Sequence, residues 1–212
     1  MEIENPYFNQ LLCPNFKTSE SSAPANSCQG LAFVICGPTA VGKGTVLREV
    51  FRRLPQSWYS ISATTRAPRP GEANGKDYYF LNDAEFSALV AAQQMLEWAT
   101  VHKIHRYGTP AAPVHDAIAH GKTVILEVDL DGARQIRHSL PQAPQIFLAP
   151  PSWEELQTRL IGRGTESQQE QQRRLATAKI ELAAQNEFDY IVVNNTVANA
   201  TEEILQIITQ HR

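Results

Sequence analysis

The sequence predicts an α/β fold in which a parallel sheet core is covered by helices. Three observations carry this. Several apolar runs have the length of a strand, each is followed by a segment with helical spacing, and a glycine-rich turn closes the first run. Runs that are apolar throughout belong to strands buried on both faces, and strands that alternate with helices build parallel sheets.

The first strand is Leu31-Ala32-Phe33-Val34-Ile35-Cys36, followed by Val46, Leu47, Val50, Phe51 and Leu54 at helical spacing. The second run, Thr123 to Asp129, leads into a helix through Ile136. Gln145-Ile146-Phe147-Leu148 is a third strand. The helix after it opens with Ser152 and Glu155, a capping-box pair. Tyr190-Ile191-Val192-Val193 is the last strand, and its helix carries Ile204, Leu205 and Ile208. Two segments break the alternation. Ser60 to Thr109 is polar, with short strand-like pieces around one helix near Asp83–Gln93, and Gly162 to Gln172 is rich in Gly, Arg and Gln. Both read as insertions beside the α/β core. Residues 1–29 lack periodicity, and Thr18 to Gln29 is rich in Ser, Ala, Asn and Pro. This stretch is expected to be a flexible N-terminal extension, with Phe8 and Leu11-Leu12 left undocked. The expected organisation is therefore an extension over 1–29 and a domain over 30–212. Within it the core spans 30–59 and 110–212, one insertion about 60–109 and the other about 162–172.

The bulk numbers narrow the function classes. Of 212 residues, 42% are hydrophobic, enough for a core, and 19% are charged, too few for a disordered chain. The net charge of −3 argues against a nucleic-acid or membrane-surface partner, whose footprint is basic. Cys13, Cys28 and Cys36 form neither a disulfide framework nor a zinc motif. No apolar run approaches the ~20 residues of a membrane span, and the first residues carry no secretory signal pattern. A cytoplasmic protein is expected, as a monomer or homodimer.

Gly37-Pro38-Thr39-Ala40-Val41-Gly42-Lys43-Gly44-Thr45 lies between the first strand and the first helix. The spacing of Gly37, Gly42 and Lys43 is that of a P-loop, which cradles a phosphate chain with backbone N–H groups and a helix N-terminus. Gly44 displaces the usual hydroxyl residue, so that Thr45 follows one position later. The metal that accompanies ATP, Mg2+, is then expected at Thr45, Glu127 and Asp129, partly through water, with a phosphate hydrogen bond as the alternative part for Thr45.

The most specific stretch is Ser62-Ala63-Thr64-Thr65-Arg66-Ala67-Pro68-Arg69-Pro70-Gly71-Glu72. Two arginines held between prolines form a rigid fork for a phosphate. Gly75 to Phe80, Leu96 to Ala99, Tyr107-Gly108-Thr109, Ala149 to Ser152, Gly162 to Glu166 and Asp189 to Asn194 complete the set. Together they resemble guanylate kinases over roughly residues 31–210. The resemblance implies a P-loop kinase fold with a GMP-binding insertion and a lid, and phosphoryl transfer from ATP to GMP. It implies that Arg66, Arg69, Tyr78 and Tyr107 hold the GMP phosphate, and that Ser62, Glu97, Thr109 and Asp129 read guanine. It also implies that Arg163 and Arg174 are catalytic beside Lys43, and that Asn194 lies near adenine. Gly37, Thr39, Ala40, Val41, Gly42, Gly44 and Thr45 complete the ATP site.

The chemistry agrees. A carboxylate at Glu97 accepts from N1 and N2 of guanine, and the Ser62 and Thr109 hydroxyls can donate to O6 or N7. His102, His105, His115 and His120 have no metal-ligand spacing and read as surface residues. Arg106 stands where the family often has tyrosine, in a loop that lacks the usual Gly-Asn. Two other readings compete: a catalytically silent guanylate-kinase-like binding module, and a P-loop kinase for another small acceptor. The retained Lys43, Arg163 and Arg174 disfavour the first, and the set Ser62, Glu97, Thr109 disfavours an adenine acceptor.

Overall fold

A computed structural model describes residues 8–11, 30–101, 104–161 and 168–212. In chain order the elements are α1 (Phe8–Leu11), β1 (Leu31–Cys36), α2 (Lys43–Arg53), β2 (Trp58–Tyr59), β3 (Ala63–Thr64), β4 (Tyr79–Phe80) and α3 (Asp83–Ala91). They continue as β5 (Met95–Val101), β6 (His105–Pro110), α4 (Ala111–Ala119), β7 (Thr123–Glu127), α5 (Leu130–Ser139) and β8 (Gln145–Ala149). Last come α6 (Trp153–Ile161), α7 (Gln168–Ala183), β9 (Tyr190–Val193) and α8 (Val197–Gln210). The strand order of the larger sheet is β2–β7–β1–β8–β9, and that of the smaller is β4–β3–β6–β5. The chain divides into two compact units.

One unit comprises Phe33–Ser57, Ile125–Ala133 and Ala143–Arg212. Its strands are the apolar runs of the sequence: β1 pairs with β8, and β8 with β9, all parallel. Phe33, Val34, Ile35, Ile146, Phe147 and Leu148 are fully buried, as strands covered on both faces require. Helix α2 packs on α8, and α6 on α7. Ser152 accepts the Glu155 N–H at 3.2 Å, so the expected N-cap of α6 forms.

The other unit holds Trp58–Val124 and Arg134–Gln142, with the described residues up to Ala32. It takes in more of the chain than the 60–109 expected for the insertion. Here β6 pairs antiparallel with both β3 and β5, and β3 is parallel to β4. A full capping box at Asn82 and Glu85 opens α3. Ala63, Leu81, Phe86 and Leu89 form one apolar cluster of this unit, and Leu11 of α1 lies among them at 1% exposure, with Phe8 beside it. The expectation that Phe8 and Leu11 stay undocked is therefore corrected: the two residues, one helical turn apart, cover an apolar surface that the small sheet cannot bury alone. The rest of the stretch over 1–29 lies outside the described residues.

Candidate active site

The strand-to-helix turn after β1 is shaped by two glycines. Gly42, the N-cap of α2, has φ 100°, a left-handed conformation that costs glycine nothing. A Cβ on Gly37, also at positive φ, would come within 2.4 Å of the Leu148 carbonyl oxygen. Ala40 shares the left-handed region at φ 67°, a strain that non-glycine residues carry mainly where function demands it. No side chain caps α2; the Thr45 N–H is drawn back to the Gly42 carbonyl at 3.1 Å, and the Lys43 and Gly44 N–H groups ahead of it are the ones placed to meet an anion. Lys43 donates from Nζ to the Gly37 carbonyl at 2.5 Å, which folds the ammonium back over the loop. A cavity of about 410 Å³ opens here, lined by Thr39, Lys43, Gly44, Thr45, Arg48 and Glu127.

A second cavity, about 360 Å³, is lined by Ala40, Gly42, Thr45, Arg159, Asn194 and Thr196, among others. The buried Asn194 donates from Nδ2 to the Val41 carbonyl at 2.8 Å, and Arg159 donates to the same oxygen at 3.2 Å. Asn194 thus braces the loop as well as facing the cavity. Arg159 is also ion-paired with Glu155. Asp129 N-caps α5 by accepting the Gly132 N–H at 2.8 Å. Arg174 is half-buried on α7 while its neighbour Arg173 is exposed. Arg163, with Gly162, Gly164 and Thr165, lies outside the described residues.

Sequence reasoning missed two groups in this unit. Glu181 of α7 is buried and accepts the Thr39 N–H at 3.4 Å. Burial pushes its carboxyl above the usual range, and the Lys43 charge opposes that. Ala178, one turn earlier on α7, and Ala184, just past its end, are buried with it, but two alanines around a glutamate mark no apolar face in the sequence. Arg159, three residues before Gly162, carried no motif of its own and no assigned role in the sequence. The Cys36 thiol, at the end of β1, is pushed up to about 12 by burial, with the Lys43 charge again opposing.

In the other unit the arginine pair is organised by a carboxylate. Arg66 forms two bonds to Glu72, at 2.9 and 3.0 Å, and lies over the rings of Tyr78 and Phe80. Glu72 also accepts the Arg69 backbone N–H at 2.7 Å. These donors, Arg66 first, hold the Glu72 carboxyl below its ordinary range, and Glu72 with Tyr107 keeps Arg66 firmly charged. The Tyr78 and Tyr107 rings meet edge to face at 6.0 Å. Sequence reasoning placed Glu72 in the motif without a role; its three-residue spacing from Arg69 was the available signal. Arg66 is therefore pre-oriented by Glu72, whereas the Arg69 side chain is exposed.

Glu97 on β5 stands opposite Thr109 on β6, and both are buried. Thr109 donates from Oγ1 to Glu97 Oε1 at 2.6 Å, so in this state its hydroxyl proton orients the carboxylate. Ser62 is half-buried, and its carbonyl accepts the Tyr79 N–H at 2.9 Å. Arg106 turns away from a phosphate role: it bonds Asp83 and Ser87 and lies over the Phe86 ring, tying β6 to α3. Of the histidines expected at the surface, His115 is half-buried, and burial lowers its pKa. His105 is half-buried as well, and His120 is exposed, while His102 lies outside the described residues.

A parallel sheet whose first strand runs into a lysine-bearing glycine loop, with a separate unit carrying paired arginine and buried carboxylate, defines a P-loop kinase. The family profile described as guanylate kinase matches residues 29–211. A guanylate kinase of Leifsonia xyli is 58% identical over 82% of this chain and 69% of its own length. One from Cutibacterium acnes is 56% identical over 83% of this chain and 88% of its own. The crystal structure of guanylate kinase from Anaplasma phagocytophilum superposes with a TM-score of 0.67 at 30% identity, covering 87% of each chain. The chain belongs to the guanylate kinase family.

Proposed function

We infer that this chain transfers the terminal phosphoryl group of ATP to GMP, giving ADP and GDP. The observation that carries the acceptor is the buried Glu97–Thr109 pair in the unit that also holds the Arg66–Glu72 couple. A buried carboxylate with one oxygen oriented by a hydroxyl suits the N1–H and N2–H edge of guanine. Adenine lacks that pair of donors, so it offers the carboxylate no bonds to replace the water it displaces, at a cost of about 1–3 kcal/mol.

In this reading Arg66, Arg69, Tyr78 and Tyr107 hold the GMP phosphate, and Ser62, Glu97, Thr109 and Asp129 read the base. The loop N–H groups and Lys43 hold the donor phosphates. Asn194, buried against the loop, borders the adenine side. Arg163 and Arg174 spread over the equatorial oxygens of the moving phosphoryl group, and the segment about 162–172 acts as a lid that excludes water. No general base is required, because a phosphate monoester with a second pKa of about 6 is already ionised at neutral pH.

The donor set fits Mg2+: the Thr45 hydroxyl and the Glu127 carboxylate line the cavity around Lys43, and hard oxygen ligands few in number suit an ion held largely by phosphates and water. Asp129, whose Oδ1 caps α5, would be a third ligand, partly through water. Bound Mg2+ supplies neutralisation of phosphate charge. No described helix is long and apolar enough to cross a membrane. A cytoplasmic location is proposed from the two nucleotide substrates.

The test is Glu97→Gln, assayed with ATP against GMP and IMP. The variant turns an acceptor into a donor facing guanine, so kcat/KM for GMP should fall by about 2–4 kcal/mol of transition-state binding. IMP, which lacks the two-amino group, should lose less. Equal losses would remove Glu97 from recognition of that group, and no loss would place guanine elsewhere.

A further inference from the structure

Strand β5 is the edge of the small sheet, so its outward backbone groups have no strand partner. Its ladder with β6 also slips between Met95 and Glu97, immediately before the carboxylate assigned to guanine. Irregularities of this kind re-aim side chains, and they leave the following residue less firmly set by the ladder alone. The missing partner comes from helix α5. The Trp98 N–H donates to Gln135 Oε1 at 3.0 Å, and Gln135 Nε2 donates to the Trp98 carbonyl at 3.1 Å. The carboxamide thus makes the two bonds that a neighbouring strand residue would make. One helical turn on, Ser139 donates from Oγ to the Leu96 carbonyl at 2.7 Å.

These three bonds bracket Glu97. Backbone groups of successive strand residues point to opposite sides. Leu96 and Trp98 therefore face α5, while Glu97 faces β6, where its carbonyl meets Gly108. The side chains of α5 hold both neighbours of the carboxylate from the side where the sheet ends.

We propose that Gln135 is a positioning residue for guanine recognition, with Ser139 as its second contact, setting where Glu97 presents its carboxylate. The proposal rests on the assignment of Glu97 above. The Gln135 carboxamide bonds go to the Trp98 backbone, and the residue takes no part in the chemical step, so it governs capture of the acceptor and leaves the donor site untouched.

The experiment compares Gln135→Met, Gln135→Glu and Ser139→Ala with the native protein, with Glu97→Gln in parallel. Gln135→Met keeps the length and volume of the side chain but removes both bonds. It should raise KM for GMP about tenfold, the scale of one to two hydrogen bonds, with KM for ATP within twofold of native. It should also narrow the preference for GMP over IMP. Gln135→Glu keeps the acceptor for the Trp98 N–H and should be intermediate. Hydrogen exchange at the Trp98 amide should quicken at least tenfold in Gln135→Met, a readout independent of turnover. An unchanged KM for GMP in Gln135→Met, with Glu97→Gln strongly impaired, would overturn the positioning role alone. Equal rises in both KM values would do the same, because they would mark a general loss of structure. An unimpaired Glu97→Gln would overturn the guanine assignment and this proposal with it.

Discussion

Glu181 sits on the inward face of α7, against the Thr39 N–H, in surroundings that disfavour its charge. The folded protein therefore holds the Glu181 proton more tightly than the unfolded chain does, from the ordinary value of 4.5 up through the raised one. As pH rises through that window the unfolded chain releases its proton first, so the residue's contribution to stability falls and then levels off. Glu181→Gln keeps an acceptor for Thr39 without the charge. Its melting temperature should match the native value well below pH 4.5 and exceed it by a margin that grows and then levels off as pH rises toward neutrality. Thermal scans of both proteins from about pH 3 to 8 check this, and a constant difference would dissociate Glu181 from the effect. Such residues are hard to read in advance. A glutamate in a helix is usually a solvated one, and only the fold reveals that the residues around it point inward.

Helix α1 is four residues long, too short to persist in water without a surface to cover. It persists here because Leu11 completes the cluster of Ala63, Leu81, Phe86 and Leu89 beneath β3. Leu11→Ala should lower stability by about 2 kcal/mol, the low end for a buried leucine, since a chain terminus can undock rather than leave a cavity. Removing residues 1–11 should cost at least as much as Leu11→Ala, because it takes away Phe8 as well as Leu11. Denaturant unfolding of the two variants measures it; a truncation with native stability would sink the idea. The elements divide by how much periodicity they offer. Strands β1, β7, β8 and β9 were legible because each contains an unbroken apolar run of three residues or more. The two-residue strands β2, β3 and β4 have too few positions to show a period, and Phe8 with Leu11 gives a single helical repeat. The phosphate loop and the arginine motif were legible because residue types and spacing carry them. Glu72, Arg159 and Gln135 were not, because their parts depend on which neighbour the fold brings to them.

For the molecule as a whole, the residues assigned to the two nucleotides fall mostly in different units. Ser62, Arg66, Arg69, Tyr78, Glu97, Tyr107 and Thr109 share one unit, while the phosphate loop, Asn194 and Arg174 share the other. Hydrogen exchange followed peptide by peptide should therefore respond to ligands separately. GMP alone should slow exchange in β3, β5 and β6 severalfold, and a non-hydrolysable ATP analogue should slow it in residues 37–45 and around Asn194. Asp129 is the informative exception, since it belongs with the loop but is assigned to guanine. Protection of the start of α5 by GMP would support that assignment, and protection only by the ATP analogue would leave Asp129 to the metal.

Gly108 lies where β6 passes β5, and a Cβ there would come within 2.5 Å of the Glu97 carbonyl oxygen and 2.7 Å of the Trp98 Cβ. The spacing of the two strands is thereby frozen against mutation: any larger residue at this position must push the guanine-reading strand outward. Gly44, with nothing within 4 Å of its would-be Cβ, is under no such constraint from the protein itself. Drift in this lineage can alter the side chains that project from β5 and β6, but it has no small steps by which to widen the floor beneath them. A change of preferred base must be reached through residues such as Glu97 and Thr109, one side chain at a time.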